Sequence, residues 1–246
     1  MPESLPWASG PGEILKHGLS LLEKDSDTNR RLAMISIDNS VELMIRTFLG
    51  LPKRISELDI SRAEYQEVSE SFPKLLDALE KHAADKLNGI NLGEIEWYHR
   101  LRNQLYHQGN GLTVERAKVE VYSKLAETLF LNLFGAPLVR DKDSNHDVLG
   151  EFILAWANLE KAFLENTEFG RGSKRNYNAS VIISTLVESG VISKRDAQQL
   201  DSIRRVRNTV VHGDEDYKIL IKPEMIDFLK RLAETAATAS TKFIVL

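Results

Sequence analysis

The feature that most constrains this chain is a stretch it carries twice. The first copy is His99-Arg100-Leu101-Arg102-Asn103-Gln104-Leu105-Tyr106-His107, and the second is Arg204-Arg205-Val206-Arg207-Asn208-Thr209-Val210-Val211-His212. Slid by the 105 positions that separate Arg102 from Arg207, an Arg-Asn pair and a histidine coincide without a gap. Leu101 then meets Val206, Leu105 meets Val210, and upstream Glu96 meets Asp201. Each copy stops close to a glycine, Gly109 or Gly213, the usual end of a helix. A second point of register follows: Lys-Leu-Ala-Glu-Thr at 124–128 recurs as Arg-Leu-Ala-Glu-Thr at 231–235, 107 positions on. The chain therefore reads as two versions of one unit, with a short insertion after the second histidine.

Between these anchors the apolar residues recur at helical spacing almost continuously. From Asp27 to Leu49 they fall at Met34, Ile37, Val41, Met44, Ile45 and Phe48, one stripe, with Asp38 and Glu42 a turn apart beside it. Gly50 and Pro52 end that helix. Other helices are predicted over 12–24, over about 61–88 with Pro73 as a break or start, from Gly93 through the first motif, and from Val114 to Leu133. After a turn-rich, charged segment from Gly135 to Asp147, the pattern resumes. Helices are predicted at 146–166, with Leu149, Ile153, Trp156, Leu159 and Phe163 on one face and Glu160 adjoining it, then at 178–188, 193–212 and 223–242. The expected fold is all-α: two tandem up-and-down helical bundles forming a pseudo-dimer, residues 1–140 and 141–246, the motif helix third or fourth in each. Asp141, Asp143, Asn145 and Asp147 have the spacing of a calcium loop. His146 and Phe152 stand where it needs glycine and glutamate, so the segment reads as a linker with a helix cap at Asp143 or Ser144, not a metal site.

Composition narrows the function. The absence of cysteine removes disulfides, thiolate metal sites and cysteine nucleophiles together. A net charge of −4 argues against coating nucleic acid by bulk electrostatics and leaves room for a local basic site. No run approaches the roughly 18 apolar residues of a membrane span, and Met1 to Gly12 lacks a signal pattern, so no membrane partner and a cytoplasmic location are expected.

On a helix Asn103 and His107 share a face, as do Asn208 and His212; His99 with Glu96, and Arg204 with Asp201, extend the two rows. Arg102 and Arg207 lie about 140° round from their histidines and flank the rows. A histidine at the negative end of a helix dipole favours its cationic form. Two histidines and two arginines suffice for metal-free cleavage of RNA: one group takes the 2′-hydroxyl proton, another protonates the leaving 5′-oxygen, and arginine holds the transition-state charge. The plainer reading of the same residues is structural. The histidine is then a helix cap, Asp38, Glu42 and Glu160 are arginine partners, and Arg171, Lys174 and Arg175 belong to a solvated loop. From the residues alone, both readings stand.

Arg-Asn-x-x-x-His ending a helix, twice, resembles the HEPN superfamily, whose signature is an arginine followed after four to six residues by a histidine. Both copies match, Arg102-Asn103 to His107 and Arg207-Asn208 to His212. The resemblance implies a metal-independent endoribonuclease with no cofactor, cutting RNA to 2′,3′-cyclic phosphate ends and acting as a toxin or in phage defence. Its partners would be RNA and a protein such as an antitoxin, with a composite cleft formed within one fused chain or in a homodimer. It places the catalytic set on Arg102, Asn103, His107, Arg207, Asn208 and His212. The polar residue of an earlier helix that pairs with the arginine falls on Glu42 and Glu160, supported by Glu96 and Asp201, and RNA contacts fall on Arg100, Arg205, Arg171, Lys174 and Arg175. The tyrosine two positions after the histidine, which a partner nucleotidyltransferase modifies in some members, is replaced by Gly109 and Asp214. The alternative is a non-catalytic bundle of the same type that binds a protein or nucleotide.

Overall fold

Helix α2, Asp27–Gly50, is the axis of the first unit. Ser26 caps it by accepting from the Asn29 amide at 3.2 Å, and Asp27 places a negative charge in its first turn. Its stripe of Ala33, Met34, Ile37, Val41, Met44 and Ile45 is wholly buried. The computed structural model describes residues 5–107, 113–138, 148–165, 167–169, 179–188, 190–212, 216–238 and 243–245. It divides into two units, Met1–Asn145 and His146–Leu246.

In the first unit α1, Pro6–Glu23, lies along α2 after a turn of three residues, so the two run antiparallel. The helix starts six residues earlier than the spacing predicts and carries Pro11 inside it. Contact between α1 and α2 is close because Gly18 has no side chain: a Cβ there would lie 2.9 Å from Ile37. Four short elements follow: α3 (Lys53–Ser56), α4 (Arg62–Val68), α5 (Phe72–Ala83) and a 3-10 turn at Ala84–Lys86. The region predicted as one helical stretch from 61 to 88 is thus divided, and Pro73 stands in the first turn of α5, where its missing N–H costs nothing. The motif helix α6, Leu92–His107, and α7, Arg116–Phe134, complete the unit, both packing on α2. Gly135 stops α7 in the left-handed conformation, φ 70°, its N–H donating to Leu131. The motif helix is sixth in the chain rather than third or fourth, because α3 to α5 are inserted before it.

The second unit is simpler. It comprises α8 (Val148–Glu165), α9 (Ala179–Glu188), α10 (Lys194–His212), α11 (Tyr217–Leu220) and α12 (Pro223–Thr238). The motif helix is α10, third in its unit. Ser193 and Asp196 cap it reciprocally: the Asp196 amide donates to Ser193 Oγ at 3.1 Å, and Ser193 Oγ donates to the Asp196 carboxylate at 2.6 Å. That hydrogen bond first, and the Ser193 amide after it, hold the Asp196 carboxyl below its ordinary range. The insertion expected after the second histidine contains α11. Helix α12 stops at Thr238, short of the predicted 242. A small parallel pair of strands, β1 (Thr167–Phe169) and β2 (Phe243–Val245), joins Thr167 to Phe243 in register. Three-residue strands leave too little alternation to be seen in sequence. The protein is all-α apart from that pair. The cap expected at Asp143 or Ser144 lies outside the described residues. Among the described residues no helix is long and apolar enough to cross a membrane.

Candidate functional site

A carboxylate inside an apolar helix stripe must find cations or donors, because water cannot reach it. Asp38 is that carboxylate: it follows Ile37 in the α2 core and is 0% exposed. Three side chains from two other helices converge on it. His99 Nδ1 of α6 lies 2.9 Å from Oδ2, and Arg102 Nε of α6 lies 3.1 Å from the same oxygen. The Tyr122 hydroxyl of α7 donates to Oδ1 at 2.7 Å. The Arg102 contact is one of charge: its direction is not that of a hydrogen bond, and the buried Nε–H has no hydrogen-bond partner.

The aromatic surroundings complete the cluster. His99 stacks on Phe72 with ring centroids 4.1 Å apart, and Tyr98 stacks on Tyr122 at 4.3 Å. Burial pushes the Tyr122 hydroxyl well above its ordinary range, and the charge of Asp38 pushes it further. Tyr122 therefore stays a donor at any physiological pH.

From this anchor the Arg102 guanidinium reaches outward. One terminal nitrogen donates to Asn103 Oδ1 at 2.8 Å and the other to Asn39 Oδ1. Its carbon sits 5.9 Å from the centre of the Tyr106 ring, which is 63% exposed and meets the His107 ring edge-to-face at 5.3 Å. His107 is the exposed last residue of its helix. The cluster thus runs from a buried acid through a fixed arginine and asparagine to a solvent-facing histidine. Helical spacing sets Arg102 aside from the Asn103–His107 row; its side chain nevertheless turns back onto Asn103.

The second copy keeps the register with other partners. Arg207 is buried at 7% exposure, Val210 lies in the core, and Asn208 and His212 face solvent. His212 also ends its helix. Arg204, which stands where the first copy has His99, turns along its own helix to Asp201 at 2.7 Å, and Arg205 meets the same carboxylate at 2.9 Å. Arg204 and then Arg205 hold the Asp201 carboxyl below its ordinary range.

Several expected positions are corrected. Glu42 does not partner Arg102: it binds Arg46 in α2 at 2.8 and 3.0 Å, and the acid facing Arg102 is Asp38, one turn earlier. Glu160 accepts from Trp156 Nε1 at 2.6 Å on its own helix. Glu96 sits at the surface, 3.7 Å from Arg100, away from the buried cluster. Arg100 and Arg205 are both well exposed, whereas Arg171, Lys174 and Arg175 lie outside the described residues. Sequence reasoning missed Tyr122 and the convergence of His99 on Asp38. The available signal was an acid embedded at stripe spacing, four residues after Met34.

Among the described residues no three His, Asp or Glu side chains are grouped to hold a metal ion. No family model matches the chain, and neither a curated protein nor a solved structure matches it.

Proposed function

We propose that this protein is a metal-independent endoribonuclease of HEPN type, whose acid–base groups are His107 and His212. The observation that carries the reading is the shared disposition of the two motifs. In each, the arginine is withdrawn into the protein while the asparagine side and the helix-ending histidine face outward. An imidazole at a helix C-terminus, open to water, is free to exchange protons with a bound substrate.

In this reading one histidine removes the proton of an RNA 2′-hydroxyl, whose oxygen attacks the adjacent phosphorus. The other histidine protonates the departing 5′-oxygen, leaving a 2′,3′-cyclic phosphate. Arg102 and Arg207 supply positive charge, and Asn103 is oriented by its bond from Arg102. The exposed Arg100 and Arg205 offer phosphate contacts beside the histidines. Toxin or defence activity, an antitoxin-like partner and a cleft shared by the two motifs belong to the same proposal.

A second reading, a non-catalytic bundle, draws on one specific observation. The three guanidinium nitrogens of Arg102 are all engaged with Asp38, Asn39 and Asn103 of its own unit. Incubating the protein with total RNA in EDTA separates the two readings. Cleavage to cyclic-phosphate ends by the wild type, absent in His107→Ala/His212→Ala, is the expected result. Intact RNA with the wild type, or equal cutting by the double variant, removes the nuclease reading.

A further inference from the structure

The internal repeat also relates the helices outside the motif. By the register of Lys124 on Arg231, α12 is the counterpart of α7. Helix α8 corresponds to α2, with Glu160 placed on Glu42 or, one turn away, on Asp38. In the first unit the face built by α2 and α7 is covered by α1. Gly18 packs on Ser36 and Ile37, Ser40 Oγ donates to the Pro11 carbonyl at 2.7 Å, and Gly12 faces the Phe130 ring.

The corresponding face of the second unit is an open groove of about 410 Å³ between α8 and α12. Its lining includes Leu154, Ala155, Asn158 and Ala162 from α8, and Ala233 and Ala237 from α12. With Glu160 on Glu42, residues Ser36, Ile37 and Ser40 fall on Leu154, Ala155 and Asn158; Phe130 falls on Ala237. Sliding α8 by one turn puts Ser36 and Ser40 on Asn158 and Ala162, so the face is the same in either register. No described helix of the second unit takes the place of α1.

We infer that this groove is filled by α8 of a second copy of the chain, in a two-fold dimer. A two-fold axis across the groove sets the two α8 helices antiparallel, the sense in which α1 meets α2. Leu154, 41% exposed on the rim, supplies the side chain that an alanine floor accepts. The charges agree with the same symmetry. Lys230 and Glu234 stand one turn apart on the α12 rim, so a two-fold axis between them sets each lysine against the partner copy's glutamate, twice. Lys230 also lies 3.5 Å from Glu151 of its own copy, an exposed pair that leaves the ammonium accessible.

Sedimentation velocity on the full chain across a concentration series tests this. The wild type should sediment as two copies, and Ala233→Arg, which fills the floor at an exposed edge, as one, with unchanged helical circular dichroism and melting. Glu234→Lys should weaken the dimer by about tenfold or more, and Lys230→Glu combined with Glu234→Lys should restore it. A wild type that stays single at every concentration overturns the inference, as does a dimer that both single variants leave intact. RNA cleavage is not needed for the readout, so this inference stands or falls apart from the nuclease proposal.

Discussion

The two motif helices carry nearly the same residues into two different electrostatic settings. In both, the residue at the Leu105 and Val210 position is buried, the arginine three before it is drawn inward, and the closing histidine is exposed. The difference begins three residues before the arginine. His99 is short and planar; it reaches across to Asp38 on another helix and stacks on Phe72. Arg204 at the equivalent place folds back on Asp201 of its own helix. A second difference lies next to the histidine, where Tyr106 is 63% exposed and Val211 is 1% exposed. The repeat therefore preserves which way the helix faces, and single residues decide whether its charges tie helices together or only decorate one.

The comparison can be broken most sharply at Asp38. Asp38→Ala leaves Arg102 without its carboxylate and Tyr122 without an acceptor in the core. Urea unfolding should show a loss of about 3–5 kcal/mol. Tyr122→Phe should cost about 1–3 kcal/mol, since Asp38 then loses its hydroxyl donor. The same variant tests the pH limb. The raised Tyr122 group contributes stability that is complete below its ordinary value of about 10 and is lost as pH climbs toward the folded one. A melting-temperature series at alkaline pH should therefore fall more steeply for the wild type than for Tyr122→Phe. His99→Ala removes one hydrogen bond and one ring stack, and the same unfolding experiment should register about 1–2 kcal/mol.

The second copy should respond far less. Asp201→Ala removes only helix-surface pairs, and its effect should stay below about 1 kcal/mol. Because Asp201 is held below its ordinary 3.8, what it contributes is present above that value and lost as pH falls through the lowered one. Acid titration of Asp201→Ala against the wild type checks that sign. A cost for Asp201→Ala equal to that of Asp38→Ala would erase the distinction between the copies.

The sequence makes the helices legible wherever a stripe runs long. Asp27 to Gly50 and Lys194 to His212 end within a residue or two of where spacing, Gly50 and Ser193 place them. It is mute where a contact depends on two helices meeting. Asp38 and Glu42 lie a turn apart on the same flank of α2, and nothing in their neighbours says which one faces α6. Packing decides: α6 lies over the turn carrying Asp38, and Arg46 has already claimed Glu42. Tyr122 is invisible for the same reason, as a tyrosine at a core position whose hydroxyl matters only because Asp38 arrives 84 residues away in sequence. The α1 cover of the first unit and the open groove of the second emerge only when the repeat is laid on the coordinates.

The central claim is that the exposed histidines do chemistry while the buried arginine cluster holds the helix in place. The most direct test compares His107→Ala and His212→Ala, singly, for RNA cleavage in EDTA and for melting temperature. The account predicts that each variant melts within a few degrees of the wild type, since a helix-end cation is worth only about 0.3–1 kcal/mol, and that each loses cyclic-phosphate product. Full cleavage by both single variants, or a collapse in melting temperature with either, would contradict it.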